Sequence, residues 1–382
     1  MKNHLSRFAR IYKTTALVAF NTFVLFVLVN VLIAGLWGLQ RTLFGRGGLR
    51  QVERKYGRQA VLDAYENKKP EEIRKLLDET WSRRLAFEPY THFKEGPFQG
   101  EFVRVHESGF RLTTNPGPWP PATDAPAVFL FGGSTTFGYG VADGETLGTA
   151  LQALLSKKAG QPVWVYNFGR GFYFSTQERI LFEQLLASDV VPRVAIFVDG
   201  LNEFFVQGAG PHFAAEMSRE FRAHWSTRLS RTMQALPAFS ALAAMKRRGG
   251  PAELDASVEF ESVCRRYLRN QQLIQAAAKA FEVKTLFVWQ PIPFYRYDSR
   301  FHLFKSSEAE HFRAGPGYEY FASFIKTNAP SAPLVWCADM QGNLEEPLYI
   351  DAVHYSPKMN RLLAEQIAAN VDSSWFERTP RK

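Results

Sequence analysis

Cysteine is nearly absent: Cys264 and Cys337 are the only two in 382 residues. Two thiols without ligand spacing exclude a thiolate metal centre and a disulfide-dense fold, and leave either one bridge outside the cytoplasm or two buried free thiols. Histidine numbers eight, but His212, His302 and His311 lack partners at ligand spacing, so they read as surface or packing residues and no metal or other cofactor is expected. Phosphate-loop spacing is missing as well: Gly138, Gly140 and Gly144 fit neither GxGxxG nor GxxxxGK[ST]. No nucleic-acid module is recognisable, although the formal net charge is +9. A basic excess without such a module points to an anionic membrane surface. Acidic residues are lacking from MKNHLSRFARIYKTT at the start, which holds Lys2, Arg7, Arg10 and Lys13.

The chain turns apolar directly after that basic stretch. Residues 16–39 are broken only by Asn21, Thr22, Asn30 and glycines, and as a helix they would reach roughly 36 Å, enough to cross a bilayer. The run exceeds the h-region of a signal peptide and no A-x-A-like site comes after it, so an uncleaved anchor is expected at residues 15–39 behind a basic tail at 1–14. Orientation is contested, because Arg41, Arg46, Arg50, Arg54, Lys55 and Arg58 lie just past the span. A short basic tail is costly to translocate whereas long domains cross largely regardless of charge, which favours a cytoplasmic tail and an exported body.

Residues 40–124 read as a membrane-proximal helical stalk and a small β-hairpin: charged amphipathic helices over 51–84, then an alternating stretch over 99–114 that turns at Glu107, Ser108 and Gly109. The proline cluster NPGPWPPATDAP closes it. From residue 125 to 382 strand-like and helical stretches alternate. Strands are expected at 127–131, 163–167, 194–198, 284–289 and 334–336, with helices near 146–157, 176–187, 258–280, 308–326 and 357–370, the pattern of a doubly wound parallel sheet. An insertion at about 207–256 interleaves Arg219, Arg222, Arg228, Arg231, Lys246, Arg247 and Arg248 with Phe221, Trp225 and other apolar residues. It is either a solvated excursion or a lid beside the site.

Chemistry gathers at the strand ends, where open α/β sheets bind ligands. The run PAVFLFGGSTTFGYG puts Ser134 just past the first strand, placed either as a nucleophile or as a helix cap. The second strand runs into FGRGF, whose Gly169 and Gly171 let backbone approach a ligand. The third leads to Asn202, whose amide can serve a turn or donate toward a developing negative charge. In LYIDAVHYSP, Asp351 precedes His354 by three residues, so one turn of chain brings carboxylate to imidazole.

Together and in this order these stretches resemble the SGNH, or GDSL-like, hydrolases. GGST at 132–135 is similar to their first block, NFGRG at 167–171 to the second, GLNE at 200–203 to the third and DAVH at 351–354 to the last. The resemblance implies a three-layer flavodoxin-like α/β fold, here preceded by a transmembrane helix, with Ser134 as nucleophile, His354 as base and Asp351 as its partner. It also implies an oxyanion hole from the Ser134 N–H, the Asn202 side chain and a second-block N–H, either Gly171 or, if the turn is one residue longer, Phe172, with Gly169 less favoured. Gly133 stands where the GDSL form has aspartate.

For an exported, tethered protein this implies a serine esterase acting through an acyl-serine on O-acyl, above all O-acetyl, esters of envelope carbohydrate. An O-acyltransferase on an exported polysaccharide, a lipid esterase and a catalytically silent glycan-binding scaffold are the alternatives. The expected partners are the ester substrate, the membrane and any envelope assembly, not nucleic acid.

Overall fold

The computed structural model describes residues 2–44, 48–65, 68–205, 210, 211, 214, 236, 237, 260–304 and 313–377. The insertion expected at 207–256 lies almost wholly outside them, with Phe221, Trp225 and its basic residues; His212 and His311 do too.

Helix α1 (Lys2–Phe44) belongs to one compact unit, and the sheet with residues 48–124 to another. Within α1 the stretch Arg7–Leu39, 33 residues, is long and apolar enough to cross a membrane. Helical geometry runs on through the basic segment that precedes the apolar run.

The second unit opens with α2 (Gly48–Tyr56), α3 (Arg58–Ala64) and α4 (Pro70–Trp81). A proline in the first turn of α4, with Glu71 and Glu72 next to it, suits a helix start, since proline lacks the donor that is orphaned there and carboxylates face the positive end of the dipole. Two antiparallel pairs come next: β1 (Leu85–Glu88) with β2 (His92–Glu95), and β3 (Phe98–Gln99) with β4 (Arg104–Val105). The expected turn at residues 107–109 is present, with His106 N–H donating to the Phe110 carbonyl at 2.9 Å and Val105 bridged to Arg111. The β1–β2 hairpin falls where the sequence pattern suggests no strands.

The main sheet has five parallel strands, β5 (Ala127–Gly132), β6 (Trp164–Asn167), β7 (Val194–Asp199), β8 (Lys284–Trp289) and β9 (Leu334–Trp336), in the order β6-β5-β7-β8-β9. Numbered by chain position this is 2-1-3-4-5, the flavodoxin-like order whose switch point lies between the first and third strands. The connecting helices are α5 (Ser134–Phe137), α6 (Leu147–Ala159), α7 (Ser175–Ala187), α8 (Phe260–Ala280), α9 (Ala314–Thr327) and α10 (Pro357–Ala369).

Every residue of β5 and β7 is buried, yet their side chains still alternate between two layers. Val128, Leu130 and Ile196 meet Leu151, Leu155, Leu363 and Ile367 of α6 and α10. Phe129, Phe131 and Phe197 meet Phe182 and Ile274 of α7 and α8. A third cluster joins Val61, Ile73, Leu76 and Leu77 of α3 and α4 to Val105, Phe137, Val141 and Ile350. Residues expected to form a stalk thus pack on the loops at the sheet's C-terminal edge. Cys264 and Cys337 are both free and buried, their thiols pushed up to about 12 chiefly by burial. His302 is buried among Phe304, Tyr297 and Tyr349, a packing residue as expected.

Candidate active site

Ser134 opens the single turn of α5 directly after β5, with Gly133 as the cap. The turn is held from three sides. Arg111, wholly buried, donates to the carbonyls of Phe137, Gly138 and Val141 and pairs with Asp143 at 3.0 Å. A guanidinium at the carbonyl end of a helical turn satisfies acceptors that have no partner of their own. Burial lowers the Arg111 pKa to about 10, opposed by the charge of Asp143. Asn167 donates to Thr136 O at 2.8 Å and accepts from Gly169 N–H at 3.0 Å, and the Thr135 hydroxyl donates to Gln290 Oε1 at 2.9 Å.

His354 reaches Ser134 from the loop between β9 and α10. A bridge between Tyr349 and Tyr355 and a bond from Ile350 N–H to His354 O at 2.9 Å close that loop into a compact turn. Inside it, Asp351 Oδ1 accepts the N–H groups of Val353 and His354 at 2.9 and 2.8 Å, and Oδ2 lies 2.7 Å from His354 Nδ1. The other ring nitrogen, Nε2, is 2.9 Å from Ser134 Oγ. Burial alone would raise the Asp351 carboxyl, but the charge of His354 and the hydrogen bonds from its ring and from two backbone N–H groups hold it down at about 2. Ionised Asp351 is an acceptor only, which leaves Nδ1 as the protonated ring nitrogen and Nε2 as the acceptor facing the serine.

Asn202 stands beside the serine in the short helical turn after β7 (Leu201–Glu203), its amide donating to Tyr173 O at 2.7 Å. Gly133 makes that approach possible, because a Cβ there would lie 2.5 Å from Asn202 Nδ2. Gly169 is also committed to packing: a Cβ on it would meet the Phe137 backbone nitrogen at 2.3 Å.

Gly171 requires a correction. It lines the cavity beside Ser134, but its N–H donates to Glu95 Oε1 at 3.1 Å and so is already engaged by a buried carboxylate. The residue that takes the left-handed conformation in this turn is its neighbour Phe172, at φ +62°. The sequence left Gly171 and Phe172 both open, and the left-handed residue is the second of them.

Ser134, His354, Asn202 and Asp351 line one cavity of about 230 Å³. Its other walls include Tyr56, Trp81, Tyr139, Phe172 and Phe205, with Lys55 among the lining residues. Trp81 and Tyr139 flank the imidazole, Tyr139 stacked at 5.4 Å and 20°, Trp81 edge-on at 5.7 Å and 71°. Neither stands out in the sequence. The aromatic TFGYG continuation after Ser134 was the available signal for Tyr139, whereas Trp81 had only its place at the end of an amphipathic helix. Among the described residues no group of His, Cys, Asp and Glu is arranged to hold a metal ion.

No protein-family model matches the chain, and no curated protein does. Among solved structures it is similar to a lipase from a goat rumen metagenome, at 11% identity and TM-score 0.38 over 64% of this chain and 96% of that one. It is also similar to a member of the lipolytic protein G-D-S-L family from Veillonella parvula DSM 2008, at 10% identity and TM-score 0.36 over 64% and 97%. A third is a GDSL-like lipase from Bacteroides thetaiotaomicron VPI-5482, at 12% and 0.34 over 66% and 90%. The fold itself is fixed by the strand order described above.

Proposed function

We propose that this chain is a serine hydrolase of the SGNH type, cleaving O-acyl esters of an envelope carbohydrate, above all O-acetyl esters, through an acyl-serine intermediate. The observation that carries the reading is the unbroken line from Asp351 through His354 to Ser134 Oγ, opening into a cavity. A hydroxyl is a weak nucleophile at neutral pH and needs a base within hydrogen-bond reach, and His354 Nε2 is so placed. In the first step Ser134 Oγ bonds to the ester carbonyl carbon while its proton passes to Nε2, and Asp351 steadies the resulting imidazolium. The Ser134 N–H and the second Asn202 amide hydrogen serve the oxyanion. The third donor is assigned to the Phe172 N–H in place of Gly171, whose N–H is engaged by Glu95. Collapse returns the proton to the leaving alcohol, and water repeats the sequence to release the acid.

A cavity of this size with aromatic walls suits a short acyl group, with rings available to stack against a sugar. The assignment to the extracytoplasmic side rests on the basic tail before the apolar run of α1. The full chain in detergent should hydrolyse p-nitrophenyl acetate faster than long-chain esters, and a fluorophosphonate should label it at Ser134. Preference for long chains would favour a lipid esterase, and faster acyl release to an added glycan than to water a transferase. Labelling that persists in Ser134→Ala would show the nucleophile to be elsewhere.

A further inference from the structure

Behind the cavity wall, three parts of the chain converge on one carboxylate. Glu95 ends β2, and its side chain is 1% exposed. Its Oε1 accepts both the Gly171 N–H at 3.1 Å and the Tyr139 hydroxyl at 2.7 Å, while Oε2 accepts from Arg83 Nη2 at 3.2 Å. Arg83 is buried too, at 3% exposure, with its guanidinium 4.6 Å from the Phe137 ring. Burial and then the charge of Glu95 hold the Tyr139 pKa well above its ordinary value, so the hydroxyl remains a donor. The ring of that same Tyr139 lies face to face with His354.

A single oxygen therefore fixes two things the proposed chemistry depends on: the aromatic surface against which the imidazole rests, and the Arg170–Gly171 peptide, one unit before the one that carries the Phe172 N–H. We propose that Glu95 is a positioning residue of the active site, acting through Tyr139 on His354 and through Gly171 on the oxyanion loop. The inference rests on the serine-hydrolase reading. Glu95 touches no reacting atom, and its effect is geometric. A tilted imidazole lengthens the Nε2 to Oγ contact, and a displacement of about 1 Å in such a constellation can cost on the order of 10²-fold in rate. The aromatic face also gives an imidazolium a favourable neighbour at the moment the charge forms.

An ion pair that served only to fold the chain would behave differently, and glutamine separates the two roles. In Glu95→Gln the amide oxygen can still accept from Gly171 and Tyr139, but the charge facing Arg83 is lost. The full chain, Glu95→Ala, Glu95→Gln and Tyr139→Phe are to be compared for kcat and KM on p-nitrophenyl acetate, for fluorophosphonate labelling rate and for melting temperature. Glu95→Ala should lower kcat and the labelling rate about 10²-fold with KM within about threefold. Glu95→Gln should recover to within about fivefold of the parent, although it melts lower. Tyr139→Phe, which keeps the ring and loses the tether, should fall between the two.

An unchanged kcat in Glu95→Ala overturns the proposal. So does a glutamine variant as slow as the alanine one, since the charge alone would then matter. If Glu95→Ala does not fold, Tyr139→Phe decides: a lower kcat at constant KM supports the positioning role, and parental kinetics reject it. Should the parent chain itself show no Ser134-dependent turnover or labelling, the hydrolase reading fails first and takes this inference with it.

Discussion

Two sets of buried carboxyl groups lie near the ends of the central strands, and they titrate in opposite directions. Asp351 is surrounded by donors, two backbone N–H groups and the His354 ring, and is held ionised down to about 2. Glu178 and Asp199 are buried next to one another and near Glu203, and both are raised well above their ordinary values, first by burial and then by neighbouring negative charge. Both carboxyls are thereby pushed toward the neutral, protonated form. Glu203 is the better provided of the three, accepting from Ser175 N–H at 2.7 Å and from Arg266 at 3.2 Å. Depth of burial is common to all of these groups. The supply of donors decides which carboxyl can hold a charge.

The contrast should be widest in catalysis. Asp351→Asn keeps the side chain's shape but offers His354 Nδ1 the wrong partner, so kcat/KM should fall by roughly 10⁴-fold. Glu178→Gln, which replaces a carboxyl that its surroundings push toward the neutral form, should stay in the parent's order of magnitude. Steady-state kinetics at neutral pH test both, and equal losses would erase the distinction.

Stability against pH should show the two sets with opposite sign. Asp351 binds its proton less readily when folded, so its contribution of about 2 kcal/mol is present above 3.8 and is lost as pH falls from there to about 2. Glu178 binds its proton more readily when folded, so stability tied to it is full below 4.5 and is lost as pH rises from 4.5 toward the elevated folded value. Urea unfolding of the parent and of Glu178→Gln across pH 4 to 8 should show the parent's slope shrinking in the variant. A parallel pair of curves would put the linkage elsewhere. The smallest effect expected is on heat: at pH 8 Glu178→Gln should melt a few degrees higher, because the unfolded chain no longer gains by ionising a carboxyl whose proton the interior holds. Calorimetry at pH 5 and pH 8 would show whether that gain vanishes on the acid side.

Much of the site was legible because its parts are short-range. A strand ending in glycines places Ser134 within a few residues, and Asp351 and His354 need only one turn between them. The short apolar runs bounded by glycines and by helical stretches likewise mark out the sheet. What stayed hidden is held by contacts across long sequence separations. The amphipathic pattern of α4 shows that it buries a face, not that Trp81 meets His354. The β1–β2 hairpin inverts the usual alternation, exposing Leu85 and Phe87 at 39% and 70% while Glu95 is buried. At Gly171 a turn glycine revealed where the backbone bends but not where its N–H points.

Because Trp81, Arg83 and Glu95 all precede the sheet, the smallest portable piece of this protein is longer than its sheet. A graft taken from β5 onward would carry Ser134, Asn202, Asp351 and His354 and would look complete by motif. It would also bare Phe137, Val141 and Ile350, which are buried against α3 and α4. Each would forfeit about 1.5 to 3 kcal/mol of burial. Swapping this unit behind another N-terminal helix should therefore succeed only with a seam before α2, and insertions between α2 and β5 should be tolerated far less readily than the look of a linker suggests.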